Sequence, residues 1–344
     1  MLKYIKYGFS FLLGGILLYI IFNFQVLTYG LQQAQGQLKV IFNTTPVNEL
    51  LTDKSFPDSL KRQIELIQTI KKFTVDSLGL NPSSSYNAYF DQHGEPILWM
   101  VTASPKYQLE AYEWHFPLLG NFTYKGFFKR ELAEKEKSQL LQQDLDVRIG
   151  EVSAWSTLGY LNDPILSSML DKRPGELAAL IIHELTHGTL YVRNDITFNE
   201  SLADFIGDEG ALWFLESHYG KHSKEYMDYL NQKDFSERYV KHMLHGTEIL
   251  DSLYQTFSPN MVSKEKHSLK NQYISNIIFD LDTLKNVSYI DKSRLKEINN
   301  AYFTVFLTYQ EKQGDFKSEL KTKFNNNFKA YLTYLKQNTK NLGR

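Results

Sequence analysis

Five consecutive residues, His183-Glu184-Leu185-Thr186-His187, match the pattern H-E-x-x-H. Residues four apart lie on one face of an α-helix, so His183 and His187 can turn imidazole nitrogens towards one ion while Glu184 points near its open coordination position. Two histidines and one carboxylate around Zn²⁺ leave room for a water whose pKa falls towards about 7 and whose proton a nearby carboxylate accepts. That is the layout of metal-assisted hydrolysis. The preceding Leu180-Ile181-Ile182 makes this a buried helix, where two histidines and a glutamate without partners would be costly.

The third ligand has to come back to this helix from elsewhere in the chain. Glu200, in Phe198-Asn199-Glu200-Ser201-Leu202-Ala203-Asp204-Phe205, opens the next predicted helix and is the expected ligand. Asp204 follows one turn later on the same face, where it can accept the second ring N–H of a liganding histidine and fix its tautomer. Asp208 and Glu209 are rivals for the ligand position. Oxyanion stabilisation calls for a further donor, and Tyr160, Tyr191, His218, Tyr239, His242 and His245 supply the residue types.

The elements that position these groups fall into two halves. Leu31, Ala34, Leu38 and Ile41 repeat at helical spacing, and Leu60, Ile64, Ile67 and Leu78 mark a second helix ending near Gly79. Tyr86–Phe90 and Ile97–Thr102 are β-rich runs around Asp91-Gln92-His93-Gly94, which predicts a hairpin, and Tyr112–Phe116 adds a further strand. A charged helix is expected over Phe128–Leu145 and a strand over Val147–Trp155, where an edge strand could pair with an extended peptide. The Trp and Tyr residues around 99–124 read as aromatic core or as the lining of a groove. Beyond Pro164 helices are predicted near 175–191, 198–219, 236–257, 264–285, 293–311 and 315–335. The fold class is therefore α+β: a mixed α/β part at 29–160 and a helical part at 161–344 carrying the metal site.

Composition narrows the function classes. Lys and Arg total 38 against 39 for Asp and Glu, a net charge of -1, so no global field gathers nucleic acid and none is expected as a partner. With no cysteine, any metal is held by His and carboxylates. At the N-terminus Lys3 and Lys6 precede a mostly apolar run from Gly8 to Leu27, just long enough to span a bilayer. Residues 1–28 are thus expected to be an uncleaved single-pass anchor, with the lysines cytoplasmic and the catalytic domain outside.

The pairing of H-E-x-x-H with Asn199-Glu200-x-x-Ala203-Asp204 resembles the gluzincin peptidases, and the wider sequence resembles the bacterial putative aminopeptidase family of zinc metallopeptidases. The matching segments are Tyr29-Gly30-Leu31-Gln32-Gln33-Ala34-Gln35-Gly36-Gln37-Leu38, Phe116-Pro117-Leu118-Leu119-Gly120 with Tyr124-Lys125-Gly126-Phe127-Phe128, Ser156-Thr157-Leu158-Gly159 with Asp163-Pro164, the metal motif, Phe198-Asn199-Glu200-Ser201, and Asn299-Asn300-Ala301. The resemblance implies a zincin-like fold in which His183, His187 and Glu200 bind zinc and Glu184 is catalytic. The G-x-M-E-N segment that captures the free amine in one aminopeptidase class is missing, so exo-specificity has no support in the residues.

These features together predict a zinc-dependent peptidase acting on a peptide or protein. The alternatives are a zinc-stabilised membrane-anchored scaffold that no longer turns over, and a hydrolase of non-peptide amides. Glu184 argues against the scaffold, since a purely structural site has no use for that carboxylate.

Overall fold

The computed structural model describes residues 7, 22–116, 120–152, 162–192, 195–284, 289, 295, 297–307 and 313–339. Its secondary structure is mixed α+β and mainly helical. In chain order the elements are α1 (Phe24–Phe42), β1 (Thr45–Pro46), α2 (Val47–Thr52), α3 (Asp58–Phe73), β2 (Ala88–Phe90), β3 (Leu98–Pro105), β4 (Trp114–Phe116), β5 (Gly120–Phe122), β6 (Lys125–Phe127), α4 (Arg130–Leu141), β7 (Leu145–Val152) and β8 (Ile165–Leu166). The helical half follows with α5 (Pro174–His187), α6 (Ile196–His218), α7 (Lys224–Gln255), α8 (Ser263–Asp280), α9 (Asn300–Leu307), α10 (Gln313–Phe324) and α11 (Phe328–Thr339).

The metal-motif helix α5 starts where its sequence says it should. Pro174 occupies the first turn, where its missing N–H costs nothing, and the Arg173 N–H donates to Glu176 Oε2 at 3.1 Å. Leu177, Ala178, Ile181, Ile182 and Leu185 line its buried side. Helix α6 returns antiparallel along it after a short loop, with Asp195 as N-cap accepting from the Phe198 N–H at 2.9 Å. The two helices approach so closely that a Cβ on Gly207 would lie 2.9 Å from the Ala179 carbonyl oxygen and 3.2 Å from His183 Cβ.

The remaining elements are packed around this pair. Ile64, Ile67 and Ile70 of α3 join the same core, as do Phe316, Leu320, Phe328, Tyr331 and Leu332 of α10 and α11. Helix α3 runs on through a π-helical turn, Thr74–Leu78, and ends at Gly79 with φ 82°, the termination its sequence predicts. A three-stranded sheet, β6-β3-β7, backs onto α4 around Trp99, Val101, Phe127, Ala133, Leu140 and Val147, so Trp99 and Trp114 are core residues. A third cluster, built on Met243, Leu250, Ile274, Ile277 and Phe303, joins α7, α8 and α9.

A buried polar knot links that helical cluster to the sheet. The Lys270 ammonium contacts the Asp146 carboxylate and donates to the Lys106 carbonyl at 2.9 Å. The Asn300 N–H donates to Asp146 at 2.9 Å, its amide donates to the carbonyls of Pro105, Lys106 and Gln108, and its Oδ1 accepts from the Tyr254 hydroxyl at 2.7 Å.

Several expectations are corrected. The runs around Asp91-Gln92-His93-Gly94 form no hairpin: β2 pairs antiparallel with β1 and parallel with β8, whereas β3 pairs with β6 and β7. Their β-rich composition marks the strands, but partners distant in the chain decide the pairing. The single helix expected over 315–335 is two, because Asn325 and Asn326 adopt left-handed conformations, φ 47° and 60°, between α10 and α11. Strand β7 does lie at the edge of its sheet among the described residues, although Asn299 Nδ2 already donates to its Val147 carbonyl at 3.1 Å.

The expected single-pass anchor is also overturned. Among the described residues no helix is long and apolar enough to cross a membrane. The core of the proposed span, residues 8–21, lies outside the described residues. Its expected end, from Phe24 to Leu27, belongs to α1, and α1 docks on the protein: Tyr29 Oη and Gln33 Nε2 both donate to the Gly126 carbonyl, at 2.9 and 3.0 Å.

The Gly207 contact generates a stability prediction. Gly207→Ala would gain about 1 kcal/mol of helix propensity, yet the new methyl meets a backbone carbonyl that cannot swing aside. A net loss of about 1–3 kcal/mol is expected from overpacking, read as a lower urea midpoint, with weaker metal binding because His183 sits in the same seam.

Candidate metal centre

The seam between α5 and α6 brings the expected ligands together. His183 Nε2 and His187 Nε2 lie 3.2 Å apart, His183 Nε2 is 3.5 Å from Glu200 Oε2, and His187 Nε2 is 3.6 Å from Glu200 Oε1. A tetrahedral ion with ligands at about 2.0–2.1 Å has ligand atoms about 3.3–3.4 Å apart. The observed separations straddle that edge length, so the three groups can hold a metal ion.

The protonation chemistry fits the same conclusion. His183 Nδ1 donates to Asp204 Oδ1 at 2.9 Å, so the neutral ring aims the lone pair of Nε2 into the gap shared with His187 and Glu200. Two imidazole lone pairs and a carboxylate cannot converge without positive charge between them. Burial alone would lower the His183 pKa, but its bonds to Asp204 and Glu200 raise it to about 10, so a proton fills the gap unless a cation displaces it. Burial and the neighbouring His183 charge push His187 down. Burial opposes ionisation of Glu200, yet its bond to His183 and the charges of both histidines hold it below the usual carboxylate range. His187 is 4 % exposed, its Nδ1 has no hydrogen-bond partner among the described residues, and its ring packs edge-on against that of His183.

Access is from the Glu200 side. That side chain is 51 % exposed, against 19 % for His183, so the ligand cluster opens towards solvent along the face where Glu200 enters. Glu184 is half-buried on the same helix, and its charge acts on His183.

The rivals for the third ligand are committed elsewhere. Asp208 accepts from the Tyr229 hydroxyl at 2.7 Å and from Lys233 at 2.9 Å, and Glu209 pairs with Lys317 at 2.8 Å. Among the donor candidates, His218 stacks on Phe214, the Tyr239 hydroxyl contacts that of Tyr302, His242 Nε2 bonds the Ile277 carbonyl at 2.7 Å, and His245 is exposed beside Glu248. Tyr160 lies outside the described residues. Tyr191 is exposed, and the Tyr124 phenol is raised by burial and then by the charge of Glu200.

Two contributors have no assigned role in the sequence reading. Tyr124, between β5 and β6, reads from the sequence only as one of the aromatic residues of core or groove, and the charge of Glu200, from the other half of the chain, acts on it. Asn199 is buried next to Glu200: its Oδ1 accepts the Val192 N–H at 2.7 Å and its Nδ2 donates to the Val192 carbonyl at 2.8 Å. This two-way clamp folds the α5–α6 loop back onto the start of α6 and so sets where Glu200 stands. An asparagine directly before the ligand was the available signal.

The profile of the putative aminopeptidase family matches residues 28–342, nearly the whole chain and every residue of this site. The chain belongs to the putative aminopeptidase family. Membership in this aminopeptidase family points to peptidase activity and places α1, the sheets and the helical half in one shared sequence unit. No curated protein and no solved structure matches the chain.

The geometry predicts distinct losses of metal. Glu200→Ala removes one of three candidate ligands and is expected to weaken metal binding by more than the 10- to 100-fold, approximately, of a lost supporting hydrogen bond, the loss expected for Asp204→Asn. Glu209→Ala, whose carboxylate faces lysines, should keep wild-type metal content after dialysis. Affinity of the unsubstituted protein should rise with pH through the neutral range, because the ion must displace the proton that Asp204 and Glu200 hold on His183; competition with a chelator at several pH values measures this and the losses above.

Proposed function

We propose that this protein is a zinc-dependent peptidase with a zincin-like arrangement, hydrolysing peptide bonds at the α5–α6 seam. The observation that carries the reading is the convergence of His183, His187 and Glu200 at tetrahedral edge distances with Glu184 on the same helix, as gluzincin peptidases arrange a catalytic metal. His183, His187 and Glu200 would hold the zinc. When bound, zinc supplies Lewis-acid polarisation of the scissile carbonyl and lowers the pKa of water.

The chain's own residues do the rest. Glu184, adjacent to His183, takes a proton from the attacking water on its carboxylate and passes it to the leaving amine nitrogen, so one group serves as base and then as acid. Asp204 holds the His183 ring by its Nδ1–H and keeps Nε2 aimed at the ion. Asn199 and Gly207 hold the two helices at the spacing that the ligand set requires. The half-exposed Glu200 leaves the approach to the site open to an extended peptide. The family description favours cleavage at the N-terminus of the substrate.

Digestion of an unbiased peptide library by the zinc-loaded protein, with the products sequenced, tests the activity and shows whether cuts fall at N-termini or inside chains. Glu184→Gln keeps the size and shape of the side chain but cannot act as a base. It is expected to retain about one zinc per chain and native stability while hydrolysis falls about 10²- to 10⁴-fold. Unchanged hydrolysis by this variant would refute the assigned role, and loss of zinc or fold would make Glu184 structural.

A further inference from the structure

Helix α1 has two packing faces, and the body of the protein uses one of them. The inward residues recur at Tyr29, Gln33, Gly36 and Val40. Tyr29 and Gln33 bond the Gly126 carbonyl, and the Tyr29 ring lies 5.4 Å from that of Phe116 and 5.6 Å from that of Phe127. A Cβ on Gly36 would collide with the Phe128 ring, and Val40 is buried. On the opposite side of the helix Phe24, Leu27, Leu31, Ala34 and Leu38 follow at alternating intervals of three and four, all five are exposed, and Phe42 is exposed just beyond them. Leu31 is 73 % exposed and Phe42 78 %.

Single exposed apolar residues are ordinary, but a continuous stripe on one face marks an interaction surface. The period of the stripe identifies its partner. Alternation of three and four averages 3.5 residues, the repeat at which one helix keeps a seam against another helix. Charge fits a second copy of the same helix: α1 carries a single charged residue, Lys39, outside the stripe, so nothing along the seam repels an identical face. A helix lying on a lipid surface carries Lys and Arg along its other face, whereas the other face of α1 is docked on β6.

We propose that the outer face of α1 is the interface of a homodimer, with the stripes of two copies packed antiparallel. In this register Leu31 of one copy meets Ala34 of the other, Leu27 meets Leu38, and Phe24 meets the end formed by Ile41 and Phe42. A large side chain then faces a small one at the centre of the seam. Parallel packing would set Ala34 against Ala34 and leave a gap there. It would also place the two Lys39 side chains together, while the antiparallel register separates them by roughly 20 Å along the axis, beyond the screening length at physiological salt. The pair covers on the order of 1,000 Å² in all, at the lower edge of specific interfaces, so the dimer dissociates on dilution. No residue of the metal centre takes part, and the inference stands apart from the peptidase reading.

The test is sedimentation velocity of the purified full-length protein over a range of concentrations, beside the double variant Leu31→Glu, Leu38→Glu. The wild type is expected to show a monomer–dimer equilibrium. The variant should weaken association about 100-fold or more, because its carboxylates find no partner in an apolar seam. Helix content and metal content should stay unchanged, since both positions are exposed and glutamate is a good helix former. Phe279→Glu, at a residue of α8 that is 74 % exposed, should leave the dimer intact. A wild type that is monomeric throughout, association undiminished in the double variant, or equal loss in Phe279→Glu would overturn the proposal. So would a monomeric wild type that pellets with phosphatidylcholine vesicles when the double variant does not, for the stripe would then meet lipid. A second readout uses the absence of cysteine from the chain: Leu31→Cys and Ala34→Cys proteins of different tag length are mixed and oxidised. Disulfides joining one variant to the other are expected. Cross-links confined to like positions, or none, would refute the antiparallel seam.

Discussion

The close approach of α5 and α6 is the constraint on which the site depends. At Gly207 the helices are so near that one methyl group would press on the Ala179 carbonyl and on His183 Cβ. Such spacing brings a carboxylate of α6 within reach of two imidazoles of α5, because side chains on helices farther apart could not bring three ligand atoms within 4.8 Å of one another. Gly210 extends the seam, facing Ile182 and Leu78. Ala203 and Ala211, both fully buried, keep the α6 face low along its length.

One face of α6 also sorts its charges by task. Glu200, Asp204 and Asp208 follow at intervals of four residues and so share that face. Glu200 and Asp204 address the imidazoles, and the net effect is a pocket that demands positive charge. Asp208, one turn further on, is neutralised by Lys233 and the Tyr229 hydroxyl. Lysines close the series after the second carboxylate, which confines the negative potential to the end of the seam where a cation can bind.

The rest of the fold holds that seam in place from two sides. On one side α3, α10 and α11 cover α5 and α6 with aliphatic and aromatic side chains. On the other, the Lys270–Asp146–Asn300 knot fastens α8 and α9 to the strands β3 and β7. Lys270 and Asn300 are both almost fully buried. A buried ammonium without its carboxylate would be strongly destabilising, so this contact binds the two halves of the chain into one structure.

The parts of this protein legible in its sequence are those governed by short-range periodicity. The spacing of His183 and His187 placed two candidate ligands on one helical face, the acidic pair Glu200 and Asp204 marked the next helix, and Gly79 announced the end of α3. Each of these depends on residues a few positions apart, where helix geometry fixes who faces whom. Tertiary structure alone decided what distant partners set. It put β2 and β3 in different sheets, brought Tyr124 into the field of Glu200, and gave Lys233 to Asp208. The apolar run at the N-terminus shows the same division. Hydropathy described it by composition, but whether the helix that follows it faces lipid or protein was settled by the hydrogen bonds of Tyr29 and Gln33 to Gly126. Periodicity records which face a side chain occupies, and only the folded chain supplies what that face meets.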